Sequence, residues 1–296
     1  MSIYSLWGAL EIGLIFGLVA LGVLISFRLL RFPDLTVDGS FPLGGATAAT
    51  LISLGMDPFT STLIASLAGA VAGMITGWLN VKLKIMDLLA SILMMIALYS
   101  INLRIMGRPN VPLISEPTVF TMLQPEGVTD YIMRPLILLV LVIVIKFVLD
   151  WYFATQAGLA MRATGSNPRM ARAQGVATGN RVLVGMGISN ALCALAGALF
   201  AQSQGGADIS MGIGTIVIGL AAIIVGESIM PSRKMVVITL AVIVGAVLYR
   251  FFIALALNAD FVGLKAQDLN LVTALLVTFA LVIPLLKQRL RGKKGG

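Results

Sequence analysis

Stretches of apolar residues long enough to cross a bilayer recur from one end of the 296-residue chain to the other, and no other feature limits its folding as much. A helix needs about 20 predominantly apolar residues to span a hydrocarbon core of roughly 30 Å, and fewer suffice where a broken segment is covered by protein. Nine segments qualify, running roughly over 7–27, 40–54, 59–81, 86–105, 135–149, 182–202, 211–226, 235–256 and 271–286. The second, fifth, seventh and ninth are short. The expected fold is therefore an all-α polytopic membrane protein with eight to ten transmembrane helices, some of them short or broken, in a single transmembrane domain over 1–296.

Composition narrows the function. Hydrophobic residues make up 58% of the chain and charged ones 11%, against about 45–50% and about 25% in soluble domains. The absence of His and the single Cys193 exclude imidazole-based catalysis, His-ligated metals, a disulfide framework and Cys-rich zinc sites. A net charge of +8 reads as basic cytoplasmic loops rather than a nucleic-acid surface. Threading nine spans with the N-terminus outside puts Arg104, Arg108, Arg134 and Lys265 outside and leaves Lys146 and Arg250 in spans, with Lys146 near enough to the inner end to snorkel. The other fifteen of the 21 Lys and Arg then face the cytoplasm, so N-outside and C-inside is the expected topology. The outer connection over 107–134 carries Pro109, Pro112, Pro117 and Pro125, which argue for short capping pieces rather than a long helix.

The chain also echoes itself. Asp34-Leu-Thr-Val-Asp-Gly leads into a short Gly/Ala-rich span, and Asp208-Ile-Ser-Met-Gly leads into another. In the threading above, the two copies run in opposite directions. Inverted repeats with short, interrupted helices are a recurring transporter design, with the pathway at the repeat interface. The same aspartates also read as helix N-caps, and the glycines as packing residues. The ridges Gly69/Gly73/Gly77 and Gly13/Gly17 read as close helix packing within the chain. Glu11, Asp87, Glu227 and Arg250 lie in or at the ends of spans, where each needs a partner or water, and they form no acidic relay across the bilayer.

The longest inner stretch, about 150–181, holds the most specific signal. Asn167 suits an N-cap, Pro168 the first helical position and Gly175 the position after the end, which together bracket a helix over 168–174. Arg169 and Arg172, three apart, share a face of it. A two-turn helix is marginal alone in water, so its own spans or a partner must hold it. The loop reads either as a docking element or as a basic segment that only enforces topology.

The loop Gly158 to Val176, Asp34-Leu-Thr-Val-Asp-Gly-Ser and Asp208-Ile-Ser-Met-Gly-Ile-Gly together resemble the membrane subunit of bacterial ABC importers of the branched-chain amino acid and ribose permease superfamily, most closely the tryptophan- or tyrosine-type uptake permeases. The resemblance covers about residues 5–290. It implies a multi-pass protein of the bacterial inner membrane that works with two cytoplasmic ATPase subunits, a second permease, either another copy in a homodimer or a related chain, and an extracytoplasmic substrate-binding protein. It further implies that Gly158, Arg162, Asn167, Pro168, Arg169, Arg172 and Gly175 form the segment that couples to the ATPase. No Gly-x-x-x-x-Gly-Lys-[Ser/Thr] phosphate loop is present, so ATP is expected on the partner and no cofactor on this chain.

The reading that results is a non-enzymatic permease that moves a small solute, an aromatic or other amino acid being the expected class, by ATPase-driven alternating access. Asp34, Thr36, Asp38, Asp208, Ser210 and Met211 are the candidate path residues, because polar groups beside broken helices can face a cavity where lipid would reject them. The alternative is a self-sufficient secondary transporter or channel, which the echo and the short helices fit equally well.

Overall fold

The computed structural model describes residues 3–124, 130–257 and Thr278; the expected span over 271–286 and the C-terminal basic residues lie outside the described residues apart from Thr278. The helices are α1 (Ile3–Val23), α2 (Val37–Ser53), α3 (Pro58–Val81), α4 (Asp87–Met106), α5 (Val119–Met122), α6 (Asp130–Ala154), α7 (Gln156–Ser166), α8 (Pro168–Ala173), α9 (Thr178–Gln204), α10 (Thr215–Ile229) and α11 (Met235–Leu257). Two short strands, β1 (Asn110–Pro112) and β2 (Gly206–Asp208), pair antiparallel with Asn110 opposite Asp208. The protein is thus an all-α polytopic membrane protein. Six described helices are long and apolar enough to cross a membrane, and α10, with 15 residues, is a shorter apolar helix. With the 17-residue α2, the first eight expected segments are all helices.

Most boundaries differ by a few residues from the sequence reading, and two of the differences have a visible structural basis. The helix expected at 135–149 runs over Asp130–Ala154, because Lys146 Nζ and Asp150 Oδ2 pair at 2.6 Å one turn apart inside it. Two charges that interrupt an apolar run satisfy each other instead of ending the helix. Lys146 is buried in this pair rather than snorkelling to the surface. The first helix continues past its expected end as a π-helical segment, Leu24–Leu29, so that the span covers Tyr4–Leu29.

Packing carries the echo through. α2 and α3 rest on α9 and on each other, and α10 and α11 rest on α1 and on each other. Exchanging α1 with α9, α2 with α10 and α3 with α11 leaves this pattern unchanged. The direction reverses as well, since α1 ends beside α7 whereas α9 begins there and ends at the β1–β2 pair. The glycine ridges are the counterparts of each other. A Cβ on Gly73 would lie 2.1 Å from the Met186 carbonyl of α9, and one on Gly13 would lie 2.9 Å from the Val247 Cα of α11. Without a side chain at these positions the backbones approach closely, which is the main source of helix association in lipid. The centre is formed by α1, 78% buried along its span, while α4 and α6, each 28% buried, lie at the periphery.

Candidate functional site

The two Asp-led segments fold alike. Asp34 Oδ1 accepts the Thr36 N–H at 2.9 Å, and Asp208 Oδ1 accepts the Ser210 N–H at 2.8 Å, the local turn that Asp favours two residues upstream of a donor. Their surroundings differ. Asp34 and Thr36 are fully buried. Asp34 Oδ2 accepts from Asn190 Nδ2 at 2.8 Å, Asn190 Oδ1 accepts from Ser40 at 2.7 Å, and the Thr36 and Thr76 hydroxyls lie 3.0 Å apart. This network fixes the start of α2 to the middle of α9 and to α3. Asp208 ends β2 outside the spans, where the Ser210 hydroxyl that donates to it holds its carboxyl below the usual carboxylate range, with Ser210 N–H and Asn110 Nδ2 assisting.

The two repeats meet at Asp38. In α10 the capping position is Gly214, which has no side chain to offer. Asp38, from the first turn of α2, takes that role: it accepts the Gly214 N–H at 3.3 Å and the Ile216 N–H at 2.8 Å. A carboxylate there complements the positive end of the α10 dipole. Pro42 lacks the N–H that would bond the Asp38 carbonyl, and Gly212 occupies the space in front of that carbonyl; a Cβ on Gly212 would lie 2.2 Å from it. The Met211 methyl fills the space that a Cβ on Gly45 would take.

A cavity of about 510 Å³ opens beside this junction. Asp38 and Ser210 line it together with Met95, Ile96, Tyr99 and Asn102. Asn102 is buried, its Nδ2 donates to the Gly39 carbonyl at 3.2 Å, and its Oδ1 has no hydrogen-bond partner among the described residues. An apolar wall that covers one buried, unpaired amide oxygen, with a helix N-terminus nearby, suits an amphipathic solute. Of the six sequence candidates, Asp38 and Ser210 therefore line the cavity, Met211 packs behind it, Asp208 shapes the turn that follows β2, and Asp34 and Thr36 are internal anchors. Asn190 and Asn102 carried no sequence signal, because an isolated Asn in an apolar run acquires meaning only from the helices that face it.

At the other end of the bundle lies the loop. The helix expected over 168–174 is α8, Pro168–Ala173, with Asn167 Oδ1 accepting the Met170 N–H at 3.1 Å and Gly175 left-handed at φ 81°. Ala171 is its buried contact, whereas Arg169, Met170 and Arg172 are exposed. Gly158 makes the corner between α6 and α7, where a Cβ would lie 2.3 Å from the Tyr152 carbonyl. Arg162 is half-buried on α7. Gly165 presses α7 onto the end of the first span so closely that a Cβ would lie 1.7 Å from the Leu29 carbonyl. From there the linker, with Leu30 and Phe32 buried and Arg31 exposed, leads to Asp34, and Arg28 bonds Glu227 of α10 at 3.0 Å. Both half-helices of the repeat are thus tied to the end that presents α8.

Inverted repeats, half-helices meeting over a cavity and a braced terminal helix define a transport permease. The chain belongs to the family of branched-chain amino acid transport system permease components, whose description matches residues 6–286. It is 39% identical to a tyrosine transport system permease protein of Clostridioides difficile over 89% of this chain and 86% of that one. It is 39% identical to an uncharacterized protein of Rickettsia prowazekii over 75% of this chain and 76% of the other. A galactofuranose transporter permease protein of Escherichia coli is 29% identical over 59% of this chain and 50% of its own length. No solved structure matches the chain.

Proposed function

We propose that this permease is the membrane subunit of an ABC importer for an aromatic or similar amphipathic amino acid in a bacterial inner membrane, with the α7–α8 end in the cytoplasm and the N-terminus outside. The observation that carries the reading is the joining of α8 to the repeat junction through Gly165 and Leu29. ATPase subunits grip α8, with Arg169 and Met170 as its exposed contacts and Gly158, Asn167, Pro168 and Gly175 fixing its shape. Closure of the ATPases pushes α7 against the end of the first span, shifts the linker before Asp34 and, through Arg28–Glu227, shifts α10. The cavity between α2 and α10 then opens to one side or the other. ATP is bound by the partner; a binding protein delivers the solute, and a second permease copy completes the assembly. Once the cavity has opened, the solute ammonium meets Asn102 Oδ1, which is covered in this structure, while its side chain lies along Met95, Ile96 and Tyr99. Affinity there is low, because selectivity resides in the binding protein and a weakly held solute leaves quickly.

Proteoliposomes holding this permease with its ATPase and binding protein should take up tyrosine or tryptophan only when ATP is supplied to the α8 side. Asn102→Ala should lower uptake roughly tenfold, the loss of one hydrogen bond of about 1.5 kcal/mol to a charged group, while ATP hydrolysis continues. Uptake by the permease alone, driven by a sodium or proton gradient, would replace this reading with a secondary carrier.

A further inference from the structure

A second cavity, of about 770 Å³, lies where α8 meets the ends of the first span, α3 and α9. Three cations line it, Arg31, Lys84 and Arg172, against one carboxylate, Asp87. Asp87 Oδ1 is already engaged by Asn80 Nδ2 at 2.5 Å. None of the three cations has a hydrogen-bond or ion-pair partner for its side chain among the described residues, where the two ion pairs are Arg28–Glu227 and Lys146–Asp150. The excess positive charge is therefore uncompensated by the described residues.

The backbone adds an independent observation. Arg31 at φ 55° and Lys84 at φ 56° are the non-glycine residues of positive φ among the described residues, and both line this cavity. Left-handed backbone disfavours any residue with a Cβ, and glycine would sit there without cost. Such positions persist where the surroundings impose them, and they cluster at functional sites. Here each one bears a cation on the same cavity wall.

The surroundings identify the anion. Beside the cations the surface is apolar and open: Met86 is 74% exposed and Leu83 54%, and Trp78, exposed near the same end of α3, marks the level where aromatic residues meet lipid headgroups. Basic pockets between spans beside such a band suit phosphate-bearing headgroups, whose acyl chains continue along the apolar helix faces. We infer that this cavity holds the phosphate of an anionic phospholipid, bound by Arg31, Lys84 and Arg172. Arg172 thus faces this cavity, whereas Arg169 does not line it, although the two lie three residues apart on one short helix.

The experiment is a titration of the purified full-length permease with phosphatidylglycerol, phosphatidylcholine or inorganic phosphate, read by native mass spectrometry. The informative variant is Arg31→Gly with Lys84→Gly, which removes two charges and suits the left-handed backbone, so its thermal stability should be unchanged or raised. Phosphatidylglycerol should bind this variant on the order of 30-fold more weakly, at roughly 1 kcal/mol per cation at the membrane surface, while Arg233→Gln with Lys234→Gln should bind as the parent does. If the glycine variant does not fold, Arg31→Gln with Lys84→Gln carries the same expectation. Equal phosphatidylglycerol affinity in parent and variant, equal loss in the Arg233/Lys234 control, or no preference over phosphatidylcholine overturns the site. Inorganic phosphate that binds as tightly as the lipid overturns the headgroup assignment in favour of a free anion. Neither ATPase nor transported solute enters the measurement, so its outcome is separate from that of the transport reading.

Discussion

Asn190→Ala should destabilise the permease by about 2–4 kcal/mol, because it leaves Asp34 Oδ2 and the Ser40 hydroxyl buried without their partner. The cost is large for a single truncation because three elements lose their common fixing point. Asn190 belongs to α9, Asp34 precedes α2 and Ser40 lies within α2, and the Asn190 amide also donates to the Met186 carbonyl at 3.1 Å. Removing Asp34 as well should recover part of the loss, since the double variant Asp34→Ala/Asn190→Ala no longer buries an unmatched carboxyl. Thermal unfolding in detergent reads the effect, and a loss below about 1 kcal/mol, or strict additivity in the double variant, contradicts the network.

Gly165→Ala should uncouple transport from ATP hydrolysis. Its Cβ would lie 1.7 Å from the Leu29 carbonyl and 2.7 Å from the carbonyl carbon, so α7 must withdraw from the end of the first span. Packed interiors transmit displacement because they contain few voids, and a gap opened here breaks the transmission between α8 and the linker before Asp34. Solute uptake should fall by roughly 5- to 150-fold, the range of coupling energies of about 1–3 kcal/mol, while the ATPase turns over without the binding protein. Gly8→Ala, whose Cβ would meet nothing within 4 Å, should leave uptake unchanged. Equal uptake in the Gly165 variant contradicts the route through Leu29.

Much of this was legible before the fold. Apolar length located eight described helices, and the Asn167, Pro168 and Gly175 pattern bracketed α8 within one residue of its end, because capping chemistry is local. The Asp-led echo was visible for the same reason: an Asp that bonds a backbone N–H two residues on needs only its own segment. What remained hidden depends on pairs far apart in the chain. That Asp38 would cap α10 follows from the meeting of two repeats, not from either one. Asp150 obscured the length of α6, since a charge in an apolar run looks like a boundary until its Lys146 partner is seen one turn away. Asn102 and Asn190 are single amides in apolar segments, and only the facing carbonyls and carboxyl give them a role. The left-handed backbone at Arg31 and Lys84 contradicts residue preference, so sequence patterns point away from it.

The measurement closest to the central claim is cross-linking of α8 to the ATPase. The native Cys193 is buried, so a cysteine placed at exposed Met170 can be addressed selectively, and Leu54, 77% exposed at the opposite end of the bundle, provides the comparison. The account predicts a cross-link from Met170→Cys to the ATPase that changes in yield with ATP, and none from Leu54→Cys. A cross-link from position 54, or labelling of position 170 by a membrane-impermeant thiol reagent in intact cells, contradicts it.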